Sequence, residues 1–221
     1  MKIELKYEEL ADQLRCPHGE KGLETGENMF KSNKSMIYNT IDSLNLKSGS
    51  YILEIGFGNG KHLDYLFKKE NNIYYYGVDI SQTMVNEAIT YNSLKHTQNR
   101  VSFSIIDGQS QYDFQDNYFN VCLSLNTIYF IENPIDFFKE IHRVIKPDGN
   151  LFLTFIDKEF AEKIPFLKKG FTFYKKDTID SFGKKAGFYD IKFKDYNDEV
   201  ISEDGQKVIR PYFICSMRKQ I

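Results

Sequence analysis

Three glycines at alternate positions, Gly56, Gly58 and Gly60, follow a run of strand-forming residues from Tyr51 to Ile55, and an amphipathic pattern runs on from Lys61 to Glu70. That order reads as strand, tight turn, helix. Glycines in such a turn take positive φ without steric cost and let a ligand approach the backbone. The helix behind the turn directs its unpaired N–H groups at the same spot. A dinucleotide-binding turn has the form G-x-G-x-x-G, its third glycine permitting close helix packing and its helix N-terminus holding a pyrophosphate. Here the third glycine comes one residue early, and Lys61 stands where the dinucleotide pattern needs it. Glu54, inside the strand, would repel a pyrophosphate and suits a ligand that bears an amino group.

Further polar residues recur at the ends of apolar runs. Asp79 closes the run Ile73 to Val78, about twenty residues beyond the turn, where a doubly wound fold places the carboxylate that accepts from ribose hydroxyls. Ser81 has the form of a helix N-cap. Met84, in the first turn of that helix, faces back toward the strand ends; its thioether can pack on a flat base or serve as ordinary core. Asp107 and Gly108 end the run Val101 to Ile106, although Asp-Gly is also a common turn pair. Asn126 and Tyr129 follow Phe119 to Leu125, whose near-continuous apolar character fits the centre of a parallel sheet. Gly56, Asp79, Asp107 and Asn126 thus fall at strand C-termini, where ligands of doubly wound sheets bind.

The elements that must position these residues alternate strand and helix, which implies a parallel sheet. Asn133-Pro134 opens a helix through Ile145, Lys146 to Asn150 turns, and Leu151 to Ile156 reads as a fifth strand. A helix from Asp177 to Ala186 ends at Gly187, and two strands, Tyr189 to Tyr196 and Val208 to Met217, complete the pattern. Ahead of the glycine turn lie a short helix over Leu10 to Arg15, a stop at Cys16-Pro17-His18-Gly19, and a helical pattern from Glu27 to Leu44.

Composition narrows the classes. The 221 residues fit one domain, and an apolar content of 41% with 15% aromatics describes a packed globule. Net charge is −2, with acids and bases interspersed and none of the basic stripe expected of a nucleic-acid binder. The N-terminus lacks a signal-peptide core, no run reaches the ~18 apolar residues of a membrane span, and the expected compartment is cytoplasmic. Cys16, Cys122 and Cys215 offer neither a disulfide framework nor a metal spacing, and no metal is expected.

The E-x-G-x-G-x-G form of Glu54 to Gly60 resembles the first motif of the class I S-adenosylmethionine-dependent methyltransferases. The segment NPIDFFKEIHRVIKPDGNLFLTF is similar to the region of small-molecule methyltransferases where a helix ending R-V-L-K-P-G-G leads into the fifth strand; Ile145 and Asp148 depart from it. The likeness runs from about Ser50 to Thr154. It implies an α/β, Rossmann-like, doubly wound and mostly parallel seven-stranded sheet with an antiparallel edge strand. It also implies a single methyltransferase domain over 1–221: an N-terminal helical extension or lid (1–47), then a core (48–221) with a cap insertion (158–176). The implied cofactor is S-adenosylmethionine, leaving S-adenosylhomocysteine after transfer. By the same resemblance Gly56, Gly58 and Gly60 admit the methionine portion beside Glu54, Asp79 holds the ribose, and Phe57, Ile80 and Met84 are among the cofactor-binding residues. Asp107 and Gly108 meet the adenine edge, and Asn126 and Tyr129 lie near the sulfonium.

A general base is needed only for an acceptor with a high-pKa proton. Three residues are candidates: His62, otherwise a helix-surface residue; Tyr129, otherwise a cofactor-packing ring; and His18, otherwise a turn residue. Asn126-Thr127-Ile128-Tyr129 is not the Asn-Pro-Pro-Tyr of enzymes that methylate exocyclic amines, so the expected acceptor is a small molecule rather than a nucleic acid. The phenylalanines of the 158–176 insertion suggest an apolar or aromatic one, with the insertion and the N-terminal helices forming its pocket. A non-catalytic S-adenosylmethionine-binding module and a nicotinamide-dependent oxidoreductase remain as alternatives, the second disfavoured by Lys61 and Glu54.

Overall fold

The computed structural model describes residues 2–93, 95, 100–108, 111–202 and 205–220. Two helices, α1 (Lys2–Arg15) and α2 (Gly19–Ser43), precede the alternating elements β1 (Tyr51–Ile55), α3 (Leu63–Lys69), β2 (Tyr74–Asp79), α4 (Gln82–Asn92), β3 (Val101–Ile105), β4 (Phe119–Leu125), α5 (Pro134–Val144) and β5 (Ile145–Ile156). The short α6 (Lys158–Ala161), then α7 (Lys176–Ala186), β6 (Phe188–Ile201) and β7 (Lys207–Lys219) follow. The seven strands form one sheet in the order β3-β2-β1-β4-β5-β7-β6. The first five are parallel, and β7 runs antiparallel to both β5 and β6. The reversed strand therefore lies one position inside the edge, with β6 outermost. Between β1 and β4 the strand order changes direction, which opens a crevice at their carboxyl ends. No helix among the described residues is long and apolar enough to cross a membrane.

Local chemistry accounts for most boundaries. The Ser81 hydroxyl accepts from Met84 N–H at 3.1 Å, capping α4. Asn133 caps α5 by accepting from Asp136 N–H at 3.4 Å, with Pro134 at the tolerated first position. Gly187, at φ 99°, ends α7 in the left-handed conformation. The β5 boundary differs from expectation. Pairing begins at Ile145, opposite Phe119, and a bulge between Phe119 and Val121 absorbs the Lys-Pro-Asp-Gly segment that reads as a turn. The terminal strands also extend past their expected ends, because they pair with each other as far as Ile201 and Lys207.

Both N-terminal helices are longer than their periodicity suggests. Gly22 and Gly26 look like helix breakers, yet each is a contact. A Cβ at Gly22 would lie 2.8 Å from the Pro17 carbonyl carbon, and one at Gly26 would lie 2.7 Å from Met84 Sδ. The helical cost of each glycine, about 1 kcal/mol, is offset by the close approach of α2 to its neighbours. Farther along, the Thr40 and Thr154 hydroxyls are 2.7 Å apart and Asn39 Nδ2 donates to the Tyr212 hydroxyl at 2.7 Å. Arg210 donates to Asn33 Oδ1 at 2.9 Å and grips Asp198 through two bonds of 3.0 and 2.7 Å.

Truncating Asp198 leaves the Arg210 guanidinium, only 8% exposed, with neutral acceptors at Asn33 and Ser32 but no counter-charge. Asp198→Ala is expected to cost about 3–5 kcal/mol in chemical denaturation. Asp198→Asn, which keeps one acceptor, should cost less.

Candidate functional site

A cavity of about 550 Å³ lies at the carboxyl ends of β1, β2 and β4, beneath α2. Its wall includes Glu54, Gly56, Phe57, Gly58, Asp79, Ile80, Met84, Asp107, Gly108 and Asn126, which the sequence pattern points to. Four separate chain segments bring these residues together.

Gly56 leaves β1 at φ 77°, with its N–H bonded to Val78 O at 2.8 Å. A Cβ there would lie 2.2 Å from Thr127 Oγ1, whose hydroxyl donates to Ile55 O at 3.3 Å. Both backbone angle and space thus require glycine. Gly58, at φ 61°, has nothing within 4 Å of where a Cβ would stand, so its face is open. Gly60 works differently from the expectation that it admits a ligand. It is absent from the wall, and its missing Cβ leaves room for Ala88 of α4, which would otherwise lie 2.8 Å away. The Phe57 ring is likewise buried against Phe103, Val85 and Ala88.

Asp79 is 7% exposed. One carboxylate oxygen accepts from Gly58 N–H at 3.1 Å and the other from Ser81 N–H at 2.9 Å. Burial outweighs these donors and pushes its pKa up to about 6. Glu54, 5% exposed, accepts on one oxygen from His62 Nε2 at 2.7 Å and from the Tyr75 hydroxyl at 2.6 Å. Burial and the adjacent Glu54 charge push the Tyr75 phenol well above its usual range, so it stays a donor. Asp107 and Gly108 are exposed at the rim, in the loop after β3.

The three candidate bases fare differently from expectation. His62 is not on a helix surface: it precedes α3, is 3% exposed and turns inward onto Glu54. Tyr129 does not face the cavity. Its hydroxyl accepts from Ile156 N–H at 2.5 Å and donates to Asn126 Oδ1 at 2.9 Å, and burial pushes its pKa far up. His18 is exposed at the α1–α2 corner, where its ring meets Cys16 O at 3.0 Å and Gln13 at 3.1 Å. Neither Tyr129 nor His18 lines the cavity.

The 158–176 insertion contributes nothing to the wall among the described residues. Phe173 packs on Tyr129 with ring centroids 4.7 Å apart and Phe171 on Phe130 at 4.7 Å. Phe166 meets Tyr7 of α1 at 6.5 Å, so the insertion buttresses α1 from behind. The wall opposite the glycine turn comes from α2 and from the segment after β4. Sequence reasoning passes over Asn59, which donates to Gly26 O at 3.3 Å and ties α2 to the turn. It also passes over Tyr75, although strand alternation places Tyr75 on the same face as Gly77 and Asp79, and the β1–β2 register pairs Gly77 with Glu54 and Tyr75 with Ile52.

Gly56→Ala is expected to destabilise by more than about 2 kcal/mol, combining a strained φ with the Thr127 clash. Adding Thr127→Ala should return the portion due to the clash, which a double-mutant cycle in urea would read as a favourable coupling.

Residues 53–153 match the family model described as methyltransferase domain. The chain is 28% identical over 175 residues to the uncharacterized methyltransferase YdaC of Bacillus subtilis, covering 78% of this chain and 91% of YdaC. It is 27% identical over 171 residues to a phosphoethanolamine N-methyltransferase of Triticum aestivum, covering 73% of this chain and 32% of the wheat enzyme. The chain thus spans about a third of that relative. A solved structure of Haemonchus contortus phosphoethanolamine N-methyltransferase 2 with S-adenosyl-L-methionine superposes with a TM-score of 0.74 at 18% identity, over 96% of this chain and 60% of that one. The domain match, the strand order with β7 reversed, and the glycine turn at the switch point agree, and they identify residues 53–153 as a methyltransferase domain on a Rossmann-like α/β fold.

Proposed function

We infer that the protein transfers a methyl group from S-adenosylmethionine to a small-molecule acceptor held in the cavity under α2. The observation that carries this reading is the Asp79 carboxylate, fixed at the end of β2 by the Gly58 and Ser81 N–H groups and exposed to the same cavity as Glu54. An acid so placed accepts from a ribose diol. Glu54, oriented by His62 and Tyr75, suits a cationic amino group. The open face at Gly58 leaves room for a ligand against the backbone, and Asp107 and Gly108 at the rim suit an adenine edge. Asn126 borders the cavity at the end of β4, on the side that would face the acceptor.

When bound, the cofactor supplies a sulfonium-borne methyl group open to direct displacement. The chain's own part is alignment and water exclusion, and positioning of this kind is worth roughly 7–11 kcal/mol. Tyr129 and His18 are turned from the cavity, and His62 is engaged by Glu54. The reading therefore assigns no general base, and the acceptor supplies its own lone pair.

Calorimetry with S-adenosylhomocysteine, with NADH as control, tests the cofactor. Micromolar binding of the first alone is expected, and preference for NADH would overturn the assignment. Asp79→Ala should weaken binding at least tenfold with the circular dichroism spectrum unchanged. Because the acceptor role of Asp79 requires the ionised form, affinity should fall as pH drops through about 6. A flat profile between pH 5 and 7.5 would remove Asp79 from the ribose site. Binding without any methylated product from cell extract would favour a cofactor-binding module instead.

A further inference from the structure

Beyond β4 the cavity wall changes character. α2 contributes Met29, Phe30 and Ile37, and the segment after β4 contributes Phe130, Ile131 and Phe137. Among these apolar groups stand polar ones, Thr127 and the amides Asn33, Asn126 and Asn133; Asn133 is used in capping α5, which leaves Asn33 and Asn126 as the amides to consider. The orientation of each is dictated by its partner. Arg210 has no acceptor atom, so the Asn33 atom 2.9 Å from its Nη1 is the carbonyl oxygen, and the NH₂ end is left over. The Tyr129 hydroxyl accepts from Ile156 N–H, so its proton goes to Asn126 Oδ1. Asn126 Nδ2 then has a thioether, Met36 Sδ, at 3.8 Å, which is a weak acceptor. Asn33 and Asn126 thus each bring an amide N–H donor to a largely apolar wall.

The charges near this wall are also informative. Arg15 is the one Lys or Arg among the described wall residues; its side chain is 50% exposed and 3.8 Å from Glu132. Arg210, behind Asn33, is occupied by Asp198, and Lys61, beside the turn, by Glu27 at 2.5 Å. Glu54, Asp79, Asp107 and Glu132 line the same cavity. A buried phosphate needs a paired cation or its desolvation goes uncompensated, and among the described wall residues the one cation, Arg15, is half exposed and shares its surroundings with Glu132.

Resting on the reading that the cavity holds the methyl acceptor, we propose that the acceptor is an uncharged, largely apolar molecule. Its hydrogen-bond-accepting atom meets the Asn33 and Asn126 amide N–H groups, and phosphorylated acceptors are excluded. Asn33 is then a specificity-determining residue that touches the acceptor. Phosphoethanolamine falls outside this class.

The test uses a matched pair of probes, 2-phenylethanol and 2-phenylethyl phosphate, titrated by calorimetry into the S-adenosylhomocysteine-saturated protein, with phosphoethanolamine as a third ligand. The alcohol should bind at least tenfold more tightly than its phosphate ester, and phosphoethanolamine should not bind. Asn33→Asp keeps an oxygen for Arg210 but removes the N–H donor. It should weaken the alcohol roughly three- to tenfold and leave S-adenosylhomocysteine affinity unchanged, which separates donor loss from misfolding. Equal or tighter binding of either phosphorylated probe would overturn the proposal. So would absence of alcohol binding at 10 mM, or an Asn33→Asp variant that binds it like wild type. Failure of S-adenosylhomocysteine itself to bind would instead remove the cofactor reading on which the proposal stands.

Discussion

One buried carboxylate holds the site in shape. Asp79 ends β2, yet its two oxygens are bonded to backbone N–H groups of the β1 turn and of the start of α4. It therefore fixes the spacing between two elements that the sheet alone leaves adjustable. That position is costly. Its folded pKa of about 6 lies above the ordinary carboxylate value, so the stability it contributes is fully present at low pH and lost as pH rises through 6. At neutral pH the empty protein carries a charge it solvates poorly, and a ligand that donates hydrogen bonds to that charge relieves the strain. Binding and folding pull on the same atom.

The neighbouring acid is treated differently. Glu54 receives side-chain donors, His62 and Tyr75, rather than backbone ones. Backbone donors fix where a carboxylate sits, whereas side-chain donors fix how it is turned. The two acids flank the glycine turn, one positioned through the main chain and one oriented through rings packed in the core. Above them α2 is tied down at three places: to the glycine turn through Asn59, to β5 through Thr40, and to β7 through Asn33 and Asn39. The cavity is bounded by helix on one side and by strand ends on the other.

Signals carried by a few adjacent residues were legible in the sequence. The glycine turn, the Ser81 and Asn133 caps, the Gly187 helix end and the acids at the strand ends all depend on local backbone chemistry, and each stands where the pattern puts it. What depends on distant partners was not legible. Gly22 and Gly26 look like breaks because their compensation comes from Pro17 and from Met84, which no helical period reveals. Gly60 resembles its two companions in the motif, but its neighbour is Ala88 and not the cavity. His62 and Tyr129 carry reactive groups, and only the tertiary structure shows that both are engaged. The aromatic insertion looked like a pocket wall because composition does not say which way a ring faces.

The contact between Arg210 and Asn33 joins residues 177 positions apart. During synthesis α2 leaves the ribosome early, while its partners on β7 come almost last. Closing so long a loop carries an entropic penalty that local contacts cannot offset in advance. The helix that roofs the cavity can meet α3, α4 and the glycine turn early, but its anchor on β7 is available only when nearly the whole chain has been made. One of the first helices to be translated thus depends for its last anchor on one of the final strands.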